Sequence, residues 1–271
     1  MSTQRFRSLW ISDLHLGTKN LQSEHLLDFL QQTESDFLYL VGDIFDLLQA
    51  QKGWHWPAIN DRIVQTIISK AERGTKVVYI PGNHDHMLRK FDGCSISSIS
   101  IQNEVIHQTA DGRRYLVLHG DKFDPVVQKS PWLASIGSTL YEGLLILNRW
   151  FNFGRRKTGK EYRTLSLWLK HQVKIVVNFM GRFEEVVTRE AQKQRVDGLI
   201  CGHIHRAGIR EIKTMLYTNA GDWVESCTAL AENHTGRLGV IEWRSQQPQL
   251  EAVAVTHHEN LYHNRCLASS N

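Results

Sequence analysis

Apolar runs and apolar stripes alternate along the first third of the chain. The run FRSLWIS, Phe6 to Ser12, is continuous enough for a buried strand, and DFLYLV (Asp36 to Val41) and KVVYI (Lys76 to Ile80) repeat it. Between them lie two segments of helical period. In LQSEHLLDFLQQT the residues Leu26, Leu27 and Leu30 share one face, and AINDRIVQTIISKAERG runs until Gly74 stops it. Strand, helix, strand, helix, strand predicts parallel βαβ units.

The period changes near Ser98. ISIQNEVIH and RRYLVLH read as shorter strands joined by the turn Asp111-Gly112-Arg113. Helical patterning follows at about Pro131 to Phe153 and Lys160 to Gln194. Strands return in VDGLICG, GIREI, MLYTNAG and GRLGVIEW. The helical stretch between two β-rich parts predicts an insertion, about residues 122–194, within one domain spanning 1–271. A chain of 271 residues is long enough for a substantial core.

Net charge is +4, too mild to imply nucleic acid, but Arg149 to Arg195 holds twelve Lys/Arg against four Glu. That segment is either a solvated helical face or a field for an anionic partner such as a phosphate, a nucleic acid or an acidic membrane surface. Leu133 to Phe153 is interrupted by Glu142, Asn148 and Arg149, so no membrane span is expected. The apolar run after Arg5 and Arg7 is too short for a signal peptide, and Cys94, Cys201, Cys227 and Cys266 have no CxxC spacing. Both features point to a reducing, cytoplasmic setting.

Polar clusters close five of the strands: Asp13-Leu14-His15, Gly42-Asp43 with Asp46, Gly82-Asn83-His84-Asp85, His119-Gly120-Asp121, and Gly202-His203-Ile204-His205. Ligands of open α/β sheets bind beyond the carboxyl ends of the strands, so the clusters are expected to converge. Taken singly they are weak. Asp46 could be a helix N-cap and Gly82-Asn83 a turn. Together they offer carboxylate, imidazole and amide groups without a thiolate, a set suited to divalent Mn²⁺, Fe²⁺ or Zn²⁺.

DxH, GDxxD, GNHD, a His-Gly and GHxH, in that order from Asp13 to His205, resemble the calcineurin-like metallophosphoesterases. The resemblance implies a four-layer α/β/β/α sandwich of two mixed sheets with a helical cap, and a two-metal hydrolase of phosphoester or pyrophosphate bonds. It implies one metal on Asp13, His15 and His205, a second on Asn83, His119 and His203, and Asp43 bridging them, with Mn²⁺ as the first expectation. His84 is expected to stay off the metals near the substrate phosphate, with Asp85 orienting its ring. His86 falls outside the pattern. A non-catalytic scaffold with this fold would have lost ligands, and none of the motif positions is lost here.

WISDLHLG, HGDKFD, the insertion before GHIHR, and TNAGDWVESCTALAE are most similar to the bacterial UDP-2,3-diacylglucosamine pyrophosphatase group of lipid A synthesis. This implies a phosphorylated lipid substrate, a cap able to hold acyl chains through Leu140, Leu144, Leu147, Trp150 and Phe151, and peripheral contact with an anionic membrane. The same apolar stripe would equally serve as an ordinary packing face. The chain departs from that group at His84, where an Arg is expected. A diphosphate expels a stabilised phosphate monoester, whereas an ordinary ester expels an alkoxide that needs a proton. His84 therefore keeps open a phosphodiesterase or phosphatase acting on nucleotides, nucleic acid or phosphoproteins.

Overall fold

In a computed structural model, residues 3–50, 53–123, 186, 188–212 and 214–244 are described, together with the backbone of 250–251 and 256–257. The chain divides into two compact units, 1–120 with 188–271, and 121–187. The two long helical segments expected in the insertion lie outside the described residues, apart from helical residues at 186 and 188–193.

The predicted alternation is present in the first unit. It runs β1 (Gln4–Ile11), α1 (Ser23–Gln32), β2 (Thr33–Val41), the short α2 (Leu47–Ala50), α3 (Ala58–Glu72) and β3 (Lys76–Ile80). Shorter strands follow: β4 (Ser95–Ile96), β5 (Ile99–Ile101), β6 (Val105–Gln108), β7 (Arg114–Val117), β8 (Gly198–Cys201), β9 (Gly208–Ile212) and β10 (Met215–Asn219). The series closes with β11 (Thr228–Glu232), β12 (Leu238–Glu242), β13 (Leu250–Glu251) and β14 (Thr256–His257). One sheet has the order β13-β12-β11-β1-β2-β3-β5-β4 and the other β14-β9-β10-β8-β7-β6. Both are mixed: β1, β2, β3 and β5 run parallel, as do β7, β8 and β10, while β11, β12 and β9 pair antiparallel.

Side-chain alternation in the three leading strands builds two hydrophobic layers. Leu9, Ile11, Leu38, Leu40, Val77 and Tyr79 face one way, into the layer that includes Leu26, Leu27, Phe29 and Leu30 of α1 and Ile63 and Ile67 of α3. Trp10, Tyr39, Val41 and Ile80 face the other way, onto Tyr115, Val117 and Ile200 of the second sheet. Strands buried on both faces read as continuous apolar runs, which explains their lack of alternation in the sequence. Each fully buried large apolar side chain contributes about 1.5–3 kcal/mol.

A charged network also joins the sheets. Glu232, fully buried on β11, accepts from Arg7 (2.7 Å), Ser8 (2.6 Å) and the Ala110 amide (2.7 Å), and lies 2.9 Å from His107 Nε2 on β6. The Tyr39 hydroxyl lies 2.8 Å from His107 Nδ1. Burial pushes the Glu232 carboxyl up, and the hydrogen bonds from His107, Ser8, Ala110 and Arg7 outweigh it and hold it below its ordinary value. Cys94, Cys201 and Cys227 are in no disulfide among the described residues. No helix among the described residues is long and apolar enough to cross a membrane.

Candidate metal centre

The five clusters follow β1, β2, β3, β7 and β8, whose carboxyl ends point the same way within each parallel set. The loops are tied together by main-chain bonds: Asp13 N–H to Gly42 O (3.0 Å), His15 N–H to Asp43 O (2.9 Å) and Gly202 N–H to His119 O (3.2 Å). Among the described residues, nine non-glycine residues have positive φ, and five of them are Asp13 (54°), His15 (51°), Asp43 (53°), His203 (71°) and His205 (51°). The left-handed region disfavours side chains, and residues held there concentrate at functional sites. Here it turns successive carboxylates and imidazoles inward from tight loops.

The neighbouring glycines make room for those side chains. At Gly42, with φ +76°, a methyl group would lie 2.2 Å from His119 Nδ1. At Gly82 it would lie 2.2 Å from Asp43 Oδ1, and at Gly202 2.6 Å from Asp13 Oδ2. The Gly in each of GD, GN and GH is thus the floor on which a neighbouring loop's polar group rests.

Among the described residues, three sets of ligand atoms lie within 4.8 Å of one another: Asp13, His15 and His205; Asp43, His119 and His203; and His15, Asp46 and His84. The first two share no residue, and the second holds Asp43 together with His119 and His203. Asn83 stands beside them with its Oδ1 buried and without a hydrogen bond, as is His15 Nε2. Buried polar atoms without partners are costly unless an ion takes them. His119 Nδ1 lies 2.9 Å from Val41 O, which directs Nε2 inward to 3.4 Å from Asp43 Oδ2. His15 Nδ1 lies 3.4 Å from Asp46 Oδ2, leaving Nε2 for the interior. A metal-ligating histidine is held this way, by its second nitrogen. Orphaned oxygen and nitrogen atoms, glycine floors and an N/O donor set together fit divalent cations.

Charges in the centre compensate one another. Burial pushes Asp13 up, but His205, with Nε2 3.1 Å from Oδ1, more than offsets it and leaves Asp13 at about 2. His205 is correspondingly raised to about 9: burial lowers it and the charge of Asp13 outweighs that. Asp43 is likewise held well below its usual value, as His119, His15 and His84 overcome its burial.

The structure differs from the expectation for Asp85. Its carboxylate takes the Gly82 amide (2.6 Å), the Ile44 amide (2.9 Å), the Phe45 amide (3.4 Å) and the Tyr79 hydroxyl (2.5 Å). It splices the β2 and β3 loops together and does not orient His84. The group beside His84 is Asp46, with Oδ1 3.1 Å from Nδ1, while His84 Nε2 is 3.9 Å from Asp43 Oδ2. Burial lowers the His84 pKa, and Asp46 and Asp43 outweigh that and raise it. Asp46 also accepts the Gln49 amide (2.8 Å) at the start of α2, so its N-cap reading holds as well. The GDxxD spacing carried that signal. His86 is exposed, its Nδ1 2.9 Å from Asn83 O.

Residues 6–207 match the family model described as Calcineurin-like phosphoesterase. The chain is 30% identical over 236 residues to a protein of Psychromonas ingrahamii named UDP-2,3-diacylglucosamine hydrolase, covering 80% of this chain and 89% of that one. It is 27% identical to a protein of the same name from Aliivibrio fischeri, covering 79% and 90%. Among solved structures it is similar to Vacuolar Protein Sorting 29 from Cryptosporidium parvum, with a TM-score of 0.45 and 13% identity over 89% of this chain and 93% of that one.

Proposed function

Because this chain belongs to the calcineurin-like phosphoesterase family and is a metal-dependent phosphoesterase or pyrophosphatase, we propose that it works with two divalent cations on a nucleotide-linked lipid diphosphate. The observation that carries the two-metal reading is the pair of disjoint sets, Asp13/His15/His205 and Asp43/His119/His203, flanked by the unpartnered Asn83 oxygen. In this reading Asp13, His15 and His205 hold one cation, Asn83, His119 and His203 the other, and Asp43 both. Mn²⁺ is the favoured ion, with Fe²⁺ and Zn²⁺ compatible with the same donors. Such cations supply a water of lowered pKa and positive charge for the phosphoryl oxygens.

The protein's own groups do the rest. Val41 O and Asp46 hold the His119 and His15 rings so that each presents Nε2. Asp46 takes the Nδ1 side of His84, which leaves Nε2 as the nitrogen that holds or releases a proton at the leaving oxygen. Asp85 keeps the loops bearing Asp43 and His84 in register through its bonds to both.

The substrate reading rests on the relatives named UDP-2,3-diacylglucosamine hydrolase, 25–30% identical to this chain. An acyl-bearing substrate would draw the chain to an anionic bilayer, which liposome flotation at low salt tests. His84 supports a second reading, a phosphodiesterase on nucleotide esters, since an alkoxide leaving group needs the proton that an arginine could not give. The deciding assay incubates Mn²⁺-loaded protein with UDP-2,3-diacylglucosamine and with a nucleotide phosphodiester. Release of UMP from the first alone supports the lipid reading, turnover of the second alone supports the other, and turnover of neither refutes both.

A further inference from the structure

Beside the centre stands an aromatic surface that the metal chemistry does not use. Trp54 is 45% exposed, yet its indole is laid across Gly17: a methyl group at that glycine would lie 1.7 Å from Trp54 Nε1 and 2.3 Å from Cδ1. Gly17, at φ +103°, is two residues beyond His15, so the indole sits on a loop within about 7 Å of a ligand residue along the backbone. The His55 amide bonds Gly17 O at 3.0 Å and fixes the approach.

The neighbouring tryptophan has a different standing. Trp56 donates Nε1–H to Asp61 (2.8 Å), and its ring stacks on Phe45 at 6.2 Å and 15°. Phe45 lies between Asp43 and Asp46 and stacks in turn on Tyr79 at 6.3 Å and 12°. Trp54 leans on Trp56 with ring centroids 4.7 Å apart. The series therefore runs from the core, through a partnered tryptophan, to one that touches Gly17 and Trp56 and is 45% exposed. Gly17 meets the pyrrole side of the indole, at Nε1 and Cδ1, and nearly half of the side chain stays exposed beyond its contacts with Gly17 and Trp56.

We propose that the open face of Trp54, braced by Trp56, is a stacking platform for the nucleobase of a nucleotide-linked substrate, and so a specificity determinant of the hydrolase. The inference rests on the reading of the centre as a phosphoester site. A base is flat, carries a π-face and lies one sugar away from its phosphate. An indole beside the phosphate-binding loops meets all three properties.

The matched probes are UMP and ribose 5-phosphate, which differ by the base, with inorganic phosphate as reference. Each is titrated by calorimetry into the full chain loaded with Mn²⁺. UMP is expected to bind roughly 5–150-fold more tightly than ribose 5-phosphate, the range that stacking on one aromatic ring supplies. Trp54→Leu, which still covers Gly17 but has no π-face, should erase that advantage and leave ribose 5-phosphate binding unchanged, while Trp54→Phe should keep much of it. In the wild-type protein loaded with diamagnetic Zn²⁺ in place of Mn²⁺, the Trp54 indole N–H resonance, assigned with Trp54→Phe, should move with UMP and not with ribose 5-phosphate. That readout holds even if Trp54→Leu fails to fold. A UMP advantage that survives in Trp54→Leu, or a wild-type protein that binds both probes equally, overturns the platform. If ribose 5-phosphate and inorganic phosphate bind and UMP is no better, the platform alone falls. If no probe binds, the phosphoester reading falls with it.

Discussion

Asp46→Asn isolates the contact that the structure substitutes for Asp85. The amide keeps the shape of the side chain and an oxygen for the Gln49 cap, but removes the charge 3.1 Å from His84 Nδ1 and 3.4 Å from His15 Nδ1. A hydrogen bond to a charged group contributes about 1.5–3 kcal/mol. His84 is partly open to water, with 28% of its side chain exposed, so the lower end applies. Asp46 is the first of the groups that raise His84 against its burial, so the variant should lower the His84 pKa. The form that gives a proton is the protonated one. Activity that depends on it is present below the His84 pKa and lost as pH rises through it, so the basic limb of the kcat profile should shift toward acid. At neutral pH, kcat for a poor alkoxide leaving group should fall roughly 10–100-fold, part of the roughly 10²–10⁴ available to a general acid. A nitrophenyl ester should lose less. Mn²⁺ affinity should fall about 10-fold or more through the loosened His15 ring. The assay is steady-state kinetics on both esters across pH at saturating Mn²⁺, with a separate Mn²⁺ titration. An unshifted basic limb with equal losses on both esters would refute the pairing of Asp46 with His84.

Other perturbations separate the remaining roles. Protein purified without chelator should carry two metals per chain. Asp43→Asn should reduce that count and chelation should abolish turnover, whereas a full count in the variant would remove Asp43 from the shared position. His84→Ala should retain both metals and slow poor leaving groups roughly 10²–10⁴-fold, whereas Asn83→Ala should weaken one metal; metal loss from His84→Ala would make that residue a ligand. At the joint between the sheets, the folded-state pKa of Glu232 is depressed. Its contribution is therefore present above the unfolded glutamate value and lost as pH falls through the lower folded value. Glu232→Gln should cost roughly 3 kcal/mol at neutral pH and flatten the acid limb of stability, measured by denaturant melts from pH 7 to 3. An equally steep acid limb in the variant would place the titration elsewhere.

Local order determined a good deal of this protein. Unbroken apolar runs marked β1, β2 and β3 because a strand buried on both faces has no polar alternation to show, and leucines at helical spacing marked α1. Strand ends followed by Asp, Asn, His and Gly marked the centre, because parallel strands deliver their carboxyl ends to one side. Sequence order could not assign partners within that centre. Asp85 adjoins His84 in the chain, but its oxygens are drawn to amides 41 residues earlier, while Asp46 reaches the His84 ring from another loop. Which way each ring turns depends on loops held at positive φ and on glycines that admit a neighbouring side chain, as His119 over Gly42 shows. The Glu232–His107 contact joins residues 125 positions apart, and Trp54 lies over Gly17 across two intervening helices and a strand. Neither pairing leaves a periodic trace, because periodicity records which face of an element is buried and not which distant group comes to meet it.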